Sequence, residues 1–272
     1  NTPLSETFGT MPSNFMSLVR PDGALELYDG KLRAKDQDGK VIFDQVSDQV
    51  YHEYIREEVR NWSYMKFPYI TEIGPDNGWY RVGPLARVNN CDYIDSPLAE
   101  EERQIFRAYA DGGMMHAALS YHWARMIELL HCAEKIKELL NDPEILGTDL
   151  LVRGERRNST GIGVIEATRG TLFHHYEVDD NDLIRKANLI VSTTNNNQAM
   201  NESIRRVATD HLSGNELTEP LLNNIEVAIR AYDPCLSCAT HAVGKMPLSV
   251  ELRNLDGELV HRLQKNSNGS ID

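Results

Sequence analysis

Cysteine is scarce in this chain: four in 272 residues, at positions 91, 132, 235 and 238. Two of the four sit close together and two stand alone, which suggests a reducing compartment, the cytoplasm, rather than a disulfide framework. Positive charge is also short, with 28 Lys and Arg against 41 Asp and Glu and a formal net charge of −13. A nucleic-acid partner would require Lys and Arg clustered on one face, so that class is set aside. No stretch reads as a membrane span or a signal sequence. No Gly-x-Gly-x-x-Gly fingerprint follows a strand. A hydrophobic content of 41% is enough for a substantial core, in one large domain or two smaller ones.

The patterning is mixed. Ala24 to Asp44 alternates apolar and polar residues around Asp29-Gly30 and Asp38-Gly39, the signature of a small β meander. Val50 to Trp62 reads as a short helix, and Phe67 to Pro84 as irregular covering structure. A helical region begins at Ser96-Pro97, with Ser as cap, Pro at the first position and Glu100 to Glu102 near the positive end of the dipole. Gly112-Gly113 interrupts it. From Met114 onward Leu119, Trp123, Met126, Leu130, Ala133 and Leu140 recur at helical steps and predict one buried face, ended by Asn141-Asp142-Pro143. His116, His122 and His131 on this stretch read as hydrogen-bonded or surface residues rather than ligands. Met114, Met115 and Met126 read as core filling.

The richest signal is Asp233-Pro234-Cys235-Leu236-Ser237-Cys238-Ala239-Thr240-His241. Two thiols three residues apart can meet one soft cation, since thiolates select nickel, zinc, copper(I) or iron. A c-type haem attachment needs His directly after the second Cys, and Ala239 and Thr240 intervene. A thioredoxin-like pair would sit in a βαβ pattern, whereas Ile225 to Tyr232 reads as helix. A structural zinc site usually needs a second ligand pair, and Cys91 and Cys132 are singletons. A buried reduced pair without metal remains the bland alternative.

This C-terminal run, preceded by Arg230-Ala231-Tyr232, resembles the signature of the large, catalytic subunit of nickel-iron hydrogenases. Glu166-Ala167-Thr168-Arg169-Gly170-Thr171-Leu172-Phe173-His174 is similar to a second family stretch, Glu-Ala-Pro-Arg-Gly-x-Leu-x-His. Asn188 to Asn197 and Tyr80 to Arg87 extend the likeness over nearly the whole chain, with the flavour of the cytoplasmic NAD-reducing branch. The resemblance implies an α+β fold, mainly α, with a long-helix core and peripheral β hairpins. Its expected divisions are a β meander and covering region over 1–95, a helical core with the active-site segments over 96–241, and a C-terminal extension over 242–272.

The resemblance also implies roles. Cys235 becomes a terminal nickel thiolate and Cys238 a thiolate bridging nickel and iron, the iron carrying carbonyl and cyanide ligands. Thr193 is placed to donate a hydrogen bond to a cyanide nitrogen. Arg169 is the guanidinium poised over the open coordination site, and Asp233 the carboxylate that orients it. His241 and the backbone carbonyl of Leu189 are implied at a nearby magnesium site. A maturation protease would cut between His241 and Ala242, and Leu248 to Val260 reads as a hairpin around Asp256-Gly257. The implied activity is cleavage of dihydrogen, with electrons leaving through an iron-sulfur small subunit, then diaphorase subunits, to NAD.

Two departures stand out. The family's first thiolate pair, within Arg-x-Cys-Gly-x-Cys, has no counterpart in these 272 residues, so the chain reads as a fragment lacking its N-terminal portion and unable to assemble the full centre alone. Thr168 stands where the family usually carries Pro. Alternatives are a large subunit coupled to a deazaflavin or heterodisulfide-linked acceptor, and a metal-free scaffold relative of the respiratory-complex type.

Overall fold

A computed structural model describes residues 7–151, 154, 157–214, 216–240, 247–266 and 268–272. Strands β1 (Asn14–Val19), β2 (Lys31–Lys35) and β3 (Val41–Val46) form an antiparallel set. β4 (Ile55–Glu58) pairs antiparallel with β5 (Phe67–Ile70), and β6 (Tyr80–Arg81) joins the first sheet parallel to β1, giving the order β3-β2-β1-β6. β1 is buried on both sides: Phe15 enters the helical core while Met16 and Leu18 enter the core between sheets. That follows from the two-residue period of a strand.

The meander is half right. Asp38-Gly39 turns β2 into β3, with Gly39 at φ 86°. The run 24–30 is loop instead, because the Glu26 carboxylate caps the amides of Leu27 and Tyr28 and Leu25 N donates to Tyr93 O. The helix expected over Val50 to Trp62 is also corrected. One turn forms, α1 (Tyr51–Tyr54), and the chain then extends into β4. Buried Ile55 sits directly opposite buried Ile70, and this cross-strand burial outweighs a weak local helix preference. The covering region therefore contains two strands.

Helix α2 (Pro84–Asn90) is buried at every residue. α3 (Pro97–Tyr109) starts where Pro97 predicts, but Ser96 makes no side-chain cap. Its hydroxyl pairs with His131 Nδ1 at 2.7 Å, on α4 (Ser120–Leu139). The cap comes from that neighbouring helix: the Glu134 carboxylate accepts from Leu98 N at 3.2 Å and Ala99 N at 3.0 Å. Glu134→Ala is expected to cost about 1 kcal/mol, as other lost caps do, read as a lower urea midpoint at unchanged slope.

The expected face of α4 is rotated. Met126 is 59% and Leu140 66% exposed, while Tyr121, Ala124, Ile127, Glu128 and His131 are buried. The helix carries apolar residues on more than one side, and the side that packs is the one whose polar groups find buried partners, Arg87 and Ser96. Met115 is core and Met114 packs beside it. The histidines are hydrogen-bonded: His116 Nε2 to Gln37 O at 2.9 Å, and His122 Nδ1 to Arg125 at 3.1 Å.

Burial holds the His116 and His131 imidazoles below their ordinary value. The unfolded chain therefore takes up these protons first, so stability is full above about pH 6.5 and is lost as pH falls below it. Urea unfolding measured at steps between about pH 7 and pH 5 is expected to show that decline, and His131→Gln to flatten it.

The second half adds an antiparallel three-stranded sheet, β7 (Thr160–Ala167), β8 (Gly170–Val178) and β9 (Ile184–Ile190). Then come α5 (Ser192–Asn195), α6 (Asn197–His211), α7 (Glu219–Ala231) and the short α8 (Leu236–Thr240). The hairpin read near the end is present as β10 (Leu248–Arg253) and β11 (Leu259–Lys265). Its Leu248, Val250, Leu252 and Leu263 pack on a cluster built around Leu217, Leu221 and Ile225, and Lys265 Nζ donates to Glu226 at 2.9 Å. Among the described residues no helix is long and apolar enough to cross a membrane.

Candidate metal centre

Three segments meet at the end of α7. The first is the two-residue turn Thr168-Arg169, closed by the pairing of Ala167 with Gly170. Gly170 has φ 134°, and a Cβ there would stand 2.3 Å from Val82 Cγ2 and 2.8 Å from Gly83 N. Only glycine lets the turn press against the 82–83 backbone. The second is Ser192 to Asn197. Ser192 Oγ donates to Gly170 O at 2.7 Å and Asn195 Nδ2 to Thr171 O at 2.8 Å. Tyr80 OH donates to Asn195 Oδ1 at 2.6 Å and Val82 N to Asn196 Oδ1 at 2.9 Å. These buried braces were not singled out as site residues in the sequence. The signal was there: a run of amides and hydroxyls directly after an apolar strand must be satisfied internally if buried.

The third is the thiol run. Tyr232 anchors it, its hydroxyl meeting Ser203 Oγ at 2.8 Å and donating to Ala199 O at 3.2 Å. Asp233 follows at φ 49°, the left-handed conformation that commonly closes a helix and that Asp tolerates. Arg169 Nε donates to Asp233 O at 2.6 Å. The expected bond to the carboxylate is thus made by the main chain instead. The Asp233 carboxylate stands 3.5 Å from Nε, at ion-pair distance, because the left-handed turn swings the carbonyl toward the guanidinium.

Cys235 is half-buried and Cys238 exposed. Their Cα atoms are 5.4 Å apart and their sulfur atoms are in direct contact as a disulfide. One helical turn therefore brings both sulfurs to one point. Cys235 N donates to Thr193 Oγ1 at 3.0 Å. A hydroxyl whose oxygen accepts from this amide keeps its O–H for another acceptor, which suits a donor to a metal's ligand. Leu189 lies on β9 and lines a shallow pocket with Glu57, Lys66, Thr194 and Ala239. His241 and the bond from His241 to Ala242 lie outside the described residues. Among the described residues no group of three or more His, Cys, Asp or Glu is arranged to hold a metal ion. Once reduced, the Cys235 and Cys238 sulfurs would fit half of a thiolate shell.

Behind the Arg169 turn lies a buried ion network. Arg87 Nε and Nη2 donate to Glu128 at 2.5 and 2.6 Å, and Nη1 donates to Glu166 at 2.7 Å and to Ala167 O at 2.9 Å. Burial works to lower the Arg87 pKa, but the two carboxylates outweigh it and hold the guanidinium above its ordinary value. The other oxygen of Glu166 accepts from Leu18 N and from Thr171 Oγ1.

The chain belongs to the nickel-dependent hydrogenase family, which it matches over residues 25–241. It is 46% identical over 263 residues to the NAD-reducing hydrogenase HoxS subunit beta of Cupriavidus necator, covering 94% of this chain and 53% of that protein. It is 41% identical over 268 residues to one of the subunits of the F420-non-reducing hydrogenase of Methanothermobacter thermautotrophicus, covering 97% and 56%. A crystal structure of an NAD+-reducing NiFe hydrogenase in the H2-reduced state superposes with a TM-score of 0.84 at 52% identity, covering 88% of this chain and 53% of that one. The fold is accordingly the α+β fold of that family. The chain spans about half the length of the curated relatives it matches.

Proposed function

We propose that this chain is part of the catalytic subunit of a nickel-iron hydrogenase that cleaves dihydrogen and passes the electrons, through an iron-sulfur small subunit, then diaphorase subunits, to NAD in the cytoplasm. The observation that carries this is the convergence of the Cys235 and Cys238 sulfurs beside Thr193, with Arg169 anchored on the same turn. Cys235 and Cys238 would hold the metals, the remaining thiolates coming from residues outside this sequence. Thr193 would donate to a cyanide on iron, and Leu189 O with His241 would bind magnesium. A maturation protease cutting after His241 would release the docked hairpin.

A bound nickel-iron centre would supply an open coordination position for dihydrogen. The chain's own contribution is electrostatic and positional. The Arg169 guanidinium, fixed through Nε, presents its remaining N–H groups as a preorganised positive charge where charge separates. A thiolate at Cys235 Sγ could take a proton, and the Asp233 carboxylate, two residues earlier in the chain, could accept one from it. Thr193 would orient a ligand on that iron by one hydrogen bond.

The test is metal analysis and dihydrogen-dependent reduction of the full-length protein purified with its partner subunits. Nickel and iron with NAD reduction support the reading; zinc, or no metal, at the thiol pair overturns it. The chain is also 41% identical to a component of an F420-non-reducing hydrogenase, and a second reading gives the enzyme an acceptor other than NAD. Nickel-dependent dihydrogen oxidation without NAD reduction would select it.

A further inference from the structure

We propose that Arg87 is a positioning residue for Arg169: one buried guanidinium hangs both ends of the Thr168-Arg169 turn from the helical core. This rests on the reading of Arg169 given above. The two groups that Arg87 Nη1 holds, the Glu166 carboxylate and Ala167 O, belong to the last two residues before the turn. The same carboxylate reaches across it, since Glu166 Oε1 accepts from Thr171 Oγ1 at 2.8 Å, two residues past Arg169. Entry to and exit from the turn therefore share one carboxylate, and that carboxylate is tied to Arg87.

The other arm of Arg87 fixes the assembly. Nε and Nη2 form a two-pronged contact with Glu128 on α4, whose planar geometry specifies direction as well as distance. Thr168 lacks the ring that would lock φ at this position, so the turn's backbone takes part of its constraint from these bonds, beside the Ala167–Gly170 pairing and the Ser192 bond to Gly170 O. The Arg169 side chain is itself 40% exposed, and it is placed by the backbone beneath it together with its Nε bond to Asp233 O. Lys at position 87 would keep the charge but not the fork.

The experiment is a double-mutant cycle in the full-length enzyme with its partner subunits, using Arg87→Lys, Arg169→Lys and the pair. Nickel and iron contents are measured alongside kcat and KM for dihydrogen. Arg87→Lys is expected to lower kcat about 10²-fold, the scale of a small misplacement at a reacting centre, with KM and metal content unchanged. In the Arg169→Lys background the same change should cost less than about threefold, because its effect runs through Arg169. Multiplying losses would overturn the positioning role while leaving the reading of Arg169 intact. An Arg169→Lys enzyme with full kcat would overturn that reading and the positioning role with it. If Arg87→Lys does not fold, Glu166→Gln, which keeps the shape and weakens the tie, takes its place against the same outcomes.

Discussion

Cys235→Ser in the full-length protein is expected to leave less than about a tenth of the wild-type nickel, since loss of mere outer-sphere partners already costs about 10- to 100-fold in affinity. A serine hydroxyl is a hard, protonated oxygen where a soft thiolate is wanted. The change is small in volume and the position is half-buried, so the fold should survive, and circular dichroism and a urea curve will establish that it does. Elemental analysis of nickel and iron is the measurement. Full nickel occupancy in a folded Cys235→Ser protein would sink the assignment. Cys238→Ser should lose both metals if its sulfur bridges them, which separates the two cysteines by the iron readout.

Arg169→Lys is expected to keep both metals and to lower dihydrogen turnover about 10²- to 10³-fold, the loss seen when a single preorganised donor is removed from a developing charge. Lysine keeps the positive charge, so a purely long-range effect would leave most of the rate. What it loses is the fixed fork: Nε of Arg169 is spent on Asp233 O, and the other nitrogens point from there. A lysine has one nitrogen for both jobs. Steady-state dihydrogen oxidation at saturating substrate, normalised to nickel, reads the effect. Unchanged turnover would assign Arg169 to structure. Asp233→Asn tests the carboxylate separately: because the main-chain carbonyl anchors Arg169, this change should leave the arginine in place and lower the rate less than Arg169→Lys does.

The α+β fold class was legible in the sequence, and so were the motifs that make up the candidate site. The thiol run, the Arg169 turn and the stretch carrying Thr193 are local motifs, and the chain brings all three to the end of α7. What was illegible depended on tertiary partners. The face of α4 that packs is the one bearing Glu128 and His131, and no hydropathy pattern can select it before Arg87 and Ser96 are in place. The strand β4 looked helical because its pairing with β5 lies beyond a local window. The cap of α3 comes from Glu134, more than thirty residues downstream. The main-chain bond from Arg169 to Asp233 depends on a left-handed residue that sequence alone does not announce.

The hairpin β10–β11 grips the cluster that includes Leu221 and Ile225 of α7, and the last turn of that helix aims Cys235. The tail and the thiols thus hang from one shaft. Detaching the hairpin would wet the shaft's apolar flank and loosen its amides, so deuterium uptake along Glu219–Ala231 is a remote gauge of whether the tail is seated.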